Sequence, residues 1–212
     1  MSIHYDVSGI KTWISPKIQN QGVNVQKPVV NRTIPQKIEQ KLARVTADLA
    51  LVNAGTVRGA FMQGEISLRD IGEIFPFADK LSLINVSEKE LVETLKYSAT
   101  SLAQKDGKPG LVQVSGMKYS VSQSGELVNL FVTDKNGKDV LIDINNPDES
   151  KTYSMALPSF IAKGLDGFTM LNKIDEPTTK LLDASLKDIA VEYIKNSPDG
   201  VEIKNDGRIK IV

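Results

Sequence analysis

Apolar positions recur along the chain with two different periods, and their alternation predicts the order of the elements. Ile34, Ile38, Leu42 and Val45 share one face of a helix, with Pro35 suited to its first turn. A short apolar strand follows, from Asp48 to Asn53 with Leu49–Val52 at its centre, and breaks at the turn Asn53-Ala54-Gly55-Thr56. Gly55 gives that turn a backbone freedom that other residues lack. Ser67 with Asp70 reads as the start of a short helix through Ile71 and Ile74, which must stop before Pro76. Lys80 to Val86 alternates as a strand, and Ser87-Glu88-Lys89-Glu90 is a capping box opening a helix to about Leu102. Leu91, Leu95, Ser98 and Leu102 fall on one side of that helix.

Beyond the polar loop Gln104 to Gly110 the period drops to two. Val112 to Val121 and Leu127 to Thr133 read as strands around the turn Ser122 to Gly125. Asp134-Lys135-Asn136-Gly137 is a turn before a strand from Val140 to Ile144, and Lys151 to Leu157 is a further strand. Leu181, Leu182, Leu186, Ile189, Tyr193 and Ile194 mark a closing helix, and Arg208 to Val212 a last strand. Met1 to Val30, with Trp13, Pro16 and Pro28, reads as an irregular arm, with Asp6 to Ile10 as its one candidate strand. The expectation is an α+β (mixed α/β) fold, residues 31–212 forming one domain after an arm over 1–30.

Composition narrows the chemistry. The 212 residues carry 26 Lys+Arg and 26 Asp+Glu, a formal net charge of zero, which argues against a nucleic-acid partner. No apolar run approaches the ~18 residues of a membrane span. The first residues, MSIHYDVSGIKTW, lack the basic and apolar regions of a signal peptide. With no cysteine, disulfides and thiolate zinc sites are excluded. His4 is the single histidine, and it lies close to a terminus. Di-metal phosphoesterases and Ser-His-Asp hydrolases need histidine in the site, so this chain is not expected to hold a catalytic centre of either kind. No acidic cluster has EF-hand spacing, and no metal or cofactor is expected here.

Five residues carry candidate binding chemistry, each beside a plainer reading. Arg58, just past the first turn, offers a planar donor fork for phosphate or carboxylate, or is a solvated surface arginine. Phe77 after Pro76 and Phe160 after Pro158-Ser159 are stacking platforms or core rings. Asp166, between glycines, is a hydroxyl acceptor or a turn-making residue, and Asn53 a ligand contact or a turn-making residue.

Several stretches in order favour the sharper readings. Asn53-Ala54-Gly55-Thr56-Val57-Arg58, Gly64-Glu65-Ile66-Ser67 and Ile74-Phe75-Pro76-Phe77 resemble NGGGIR…G.IT…..LPF. Leu111 to Tyr119 resembles LQVSGLRY, and Gly164-Leu165-Asp166-Gly167-Phe168 resembles GGDGF. From about Thr33 to the end, the chain resembles the C-terminal, substrate-binding domain of the 5′-nucleotidase family, which includes bacterial UDP-sugar hydrolases. The resemblance implies a four-layer α/β/β/α sandwich and a nucleotide or nucleoside ligand. It also implies an N-terminal metallophosphoesterase domain as partner, holding the divalent metals and the catalytic residues, and a periplasmic or extracellular parent. Position by position, it makes Phe77 and Phe160 the rings clamping a nucleobase, Asp166 the ribose acceptor, Arg58 a phosphate contact and Asn53 a nucleoside contact. None of these is a catalytic residue, so this chain alone is not expected to hydrolyse phosphate esters.

The chain departs from the pattern at Ala54 and Thr56 in the first turn and at Leu165 beside Asp166, where the family has glycine. A second phosphate arginine aligns only loosely with Lys27 or Arg32. These departures leave room for a free-standing binding or interaction module that kept the fold without nucleotide recognition. A third reading is the partner domain of a sulfur-ester hydrolase.

Overall fold

A computed structural model describes residues 47–59, 64–103, 111–197, 200–201 and 206–212. The expected arm over 1–30, the helix from Ile34 and the loop over 104–110 lie outside the described residues.

The described chain has the expected mixed α+β architecture, built on two mixed sheets. In order it forms β1 (Leu49–Val52), α1 (Leu68–Ile74), β2 (Lys80–Ser87), α2 (Glu88–Ala99), β3 (Gln113–Ser115) and β4 (Met117–Val121). β5 (Leu127–Thr133), β6 (Asp139–Leu141), β7 (Thr152–Pro158), α3 (Ser159–Ala162), β8 (Lys180–Ser185), α4 (Leu186–Lys195) and β9 (Ile209–Ile211) follow. One sheet has the order β3-β1-β7-β2-β8, the other β6-β5-β4-β9. β1 runs parallel to β7, β2 antiparallel to β7 and β8, and β4 parallel to β9.

Alternation along β1 explains how the first sheet is covered. Leu49 and Leu51 point into a core shared with α2 and the strands β4 and β5 of the second sheet. Ala50 and Val52 point to the opposite face, where Ile71 and Ile74 of α1 and Leu186, Ile189 and Ala190 of α4 form a second core. On α2, Leu91, Leu95 and Ser98 are buried, as their spacing predicts, and Leu102 packs partly buried in the 3-10 turn that follows. Among the described residues no helix is long and apolar enough to cross a membrane.

Three expectations need correction. The strand over Val112–Val121 is two strands in different sheets, β3 on β1 and β4 on β5. The break is Gly116, with φ 74, where a Cβ would lie 2.2 Å from the Asp48 carbonyl oxygen. Leu181 and Leu182 belong to edge strand β8, Leu182 buried and Leu181 exposed, and the helix begins only at Leu186. Its true start signal is a third capping box, Ser185 with Asp188. The strand after Gly137 covers Asp139–Leu141, although the Ile142 N–H still donates to the Leu130 carbonyl.

A nearly buried carboxylate anchors the start of α2. Glu88 accepts from Tyr153 Oη at 2.7 Å and from the Asp148 N–H at 3.1 Å, and pairs with Lys151 Nζ at 2.7 Å. Desolvation pushes this carboxyl up, but the bonds from Lys151, Tyr153 and Asp148 outweigh it and hold it below its ordinary 4.5. A depressed folded value stabilises the protein above the unfolded value, and this contribution is lost as pH falls through the folded value. Glu88→Gln is therefore expected to be less stable than the parent at neutral pH. In urea titrations the difference should shrink as pH falls from about 5 to 3; a gap independent of pH would show that the ionised carboxylate contributes nothing.

Candidate functional site

Strand direction gathers the candidate residues. β1 and β7 are parallel neighbours, so the turn after β1 and helix α3 after β7 emerge side by side. β2 runs antiparallel to β7 with Leu81 opposite Pro158, which brings the segment before β2 to the same edge. Such a crevice at the carboxyl ends of strands is where open sheets with parallel strands commonly bind ligands.

Each segment is held locally. The Ala54–Thr56 turn is a 3-10 turn, so Gly55 takes no positive φ, contrary to the expectation of unusual backbone there. The Arg58 N–H donates to the Ile74 carbonyl at 2.9 Å, tying the loop to the end of α1. α1 ends at Ile74, two residues before Pro76, and Phe77 beyond it is 42% exposed; Phe160 on α3 is 38% exposed. For rings of this size that exposure sets both apart from the core, where plainer readings would put them. Asp166 has φ 58, the single positive non-glycine φ among the described residues, between Gly164 (φ 72) and Gly167 (φ 82). Strain of this kind tends to persist where surrounding structure enforces it. Here Tyr97 Oη donates to the Asp166 carbonyl at 3.0 Å, and its ring meets Phe168 edge-on at 5.0 Å.

All five candidates line one cleft of about 400 Å³, together with Gly55, Thr56 and Asp79. The Arg58 guanidinium lies 5.3 Å from the centre of the Phe77 ring. Asn53, only 5% exposed, donates through Nδ2 to Asp166 Oδ2 at 2.9 Å and accepts from Thr56 Oγ1. The Asn53 side chain makes no capping bond to the backbone of its turn; its amide spans from the Thr56 hydroxyl to the Asp166 carboxylate. The cleft thus combines two exposed aromatic rings, one guanidinium and two carboxylates, a set suited to a flat ring bearing hydroxyl donors and an anionic group. Among the described residues no cluster of three or more His, Asp or Glu could hold a metal.

Asp79, Thr56 and Tyr97 escaped the sequence reading as site residues. Thr56 stood out only as a departure from a glycine pattern, and Asp79 lies in no motif. Tyr97 sits within helix α2 with no motif around it.

The family model for the 5′-nucleotidase C-terminal domain matches residues 15–173, three quarters of the sequence. The chain belongs to that family. A 5′-nucleotidase-related protein of Glossina morsitans morsitans is 32% identical over 171 residues, covering 79% of this chain and 30% of the relative. The crystal structure of a 5′-nucleotidase precursor from Thermus thermophilus superposes with a TM-score of 0.63 at 27% identity, over 78% of this chain and 31% of that one. The NAD nucleotidase of Haemophilus influenzae shares the fold at a TM-score of 0.66 and 18% identity, over 91% of this chain and 37% of that one. As a 5′-nucleotidase C-terminal domain, the chain spans about a third of the length of these relatives.

Proposed function

We propose that this chain is the nucleotide-holding domain of a 5′-nucleotidase-type hydrolase, with residues 31–212 as the substrate-binding domain and 1–30 as the arm leading into it. The observation that carries the reading is the convergence of Phe77, Phe160, Asp166, Asn53 and Arg58 on one cleft. Phe77 and Phe160 would take the two faces of a nucleobase, a contact that buries area without demanding one base. Asp166, an acceptor when ionised, would accept hydrogen bonds from the ribose hydroxyls, and Asn53 would hold it in place. Arg58 would leave the Phe77 ring for the phosphate, a stronger and charge-assisted partner.

In the whole protein, an N-terminal metallophosphoesterase domain would bind divalent metals that activate the attacking water. This domain's share is to bind the nucleotide and orient its phosphate towards that centre. A parent of this kind would act in the periplasm or outside the cell, in nucleotide catabolism.

Calorimetric titration of AMP, adenosine and UDP-glucose into the 212-residue chain tests the reading. Millimolar or tighter saturable binding is expected. Arg58→Glu should weaken AMP by at least about tenfold, a charge-assisted contact turned into repulsion, and change adenosine much less. Saturation by none of the three would favour the free-standing interaction module, which the side chains of Thr56 and Leu165 at glycine positions also suit.

A further inference from the structure

The geometry points to Thr56 as a positioning residue that sets the orientation of the ribose-binding carboxylate through Asn53. This inference rests on the nucleotide reading above and adds a residue that the family pattern, with glycine at this place, does not supply.

The chain of bonds has a fixed direction. Ionised Asp166 can only accept, so Asn53 must present its Nδ2 donors to Asp166 Oδ2, as it does at 2.9 Å. The amide oxygen then faces the other way, on a side chain only 5% exposed, and needs a donor there. Thr56 Oγ1 is that donor, one 3-10 turn along the chain. A valine of the same shape leaves the Asn53 oxygen without its partner and removes the reason for the amide to hold one orientation.

Asp166 is anchored twice, by unrelated means. Its backbone is fixed by the Tyr97 hydroxyl on its carbonyl and by the turn around Gly167, where a Cβ would lie 1.8 Å from Tyr97 Oη. Its carboxylate is fixed, among the described residues, by Asn53 through Oδ2. Asp166 Oδ1 has no protein partner among the described residues and is the atom available to a ligand hydroxyl. Thr56 therefore acts on the carboxylate's aim and leaves the loop itself untouched.

The test is a set of titrations with adenosine and 2′,3′-dideoxyadenosine on the parent chain, Thr56→Val and Thr56→Ser, with melting temperatures alongside. Thr56→Val should weaken adenosine about fivefold, the size of one lost hydrogen bond, while dideoxyadenosine binding stays at the parent value. Thr56→Ser, which restores the hydroxyl, should match the parent for both. Equal weakening of both ligands, or none of either, overturns the role given to Thr56 while the nucleotide reading stands. A parent chain that saturates with neither nucleoside overturns the reading and this inference together. Loss of binding by Thr56→Ser as well would show that the methyl group and its packing matter, not the hydroxyl.

Discussion

Phe160→Ala is expected to weaken nucleoside binding by about 5- to 150-fold, the range found when one base-stacking ring is cut back to alanine. The loss should be similar for adenosine and AMP, because in the proposed site the ring would meet the base and not the phosphate. Stability should change little, since the ring is 38% exposed and α3 is anchored instead by Ile161 and Ala162, both fully buried. Calorimetry and a melting curve on the same sample separate the two effects. Phe77 is the less clean probe, because its ring also holds the Arg58 guanidinium, and cutting it back releases a charge as well as a stacking surface. If Phe160→Ala binds adenosine as the parent does, the clamp is wrong whatever Arg58 and Asp166 do.

Local chemistry made much of the fold legible. Ser67 and Ser87 open α1 and α2 because each offers a hydroxyl to the backbone three residues on, and both boxes are formed. The same motif opens α4 at Ser185, but the spacing of Leu181 and Leu182 to Leu186 and Ile189 also fits a helix face, so the expected helix began too early. What decides between helix and strand is an edge position beside β2, where Leu182 is buried against the second core and Leu181 faces outward. Pairing partners are not visible in a single segment. The candidate residues were legible for a different reason: ordered motifs singled out Asn53 and Asp166, which the fold then joins by a hydrogen bond across 113 residues, a link no periodicity reports. Asp79 and Thr56 stayed hidden because their place in the cleft exists only once the ends of β1, β7 and β2 meet.

Gly116→Ala is expected to destabilise the chain by about 3 kcal/mol or more, enough to threaten folding at ordinary margins. Two costs add there. A Cβ at φ 74 pays for the left-handed conformation, and it would also lie 2.2 Å from the Asp48 carbonyl oxygen, a backbone atom at the mouth of β1. Gly137→Ala isolates the first cost, since its φ is 79 and nothing lies within 4 Å of the added Cβ. That variant should lose only about 1 kcal/mol, so urea unfolding of the pair reads the clash as their difference. Equal losses would mean that the crossing between the sheets relaxes freely. The crossing also reaches the cleft, because β3 pairs with β1 up to Val52 opposite Gln113, immediately before Asn53. A Gly116→Ala chain that stays folded should therefore bind adenosine more weakly as well, the shift of β1 passing through Asn53 to the Asp166 carboxylate.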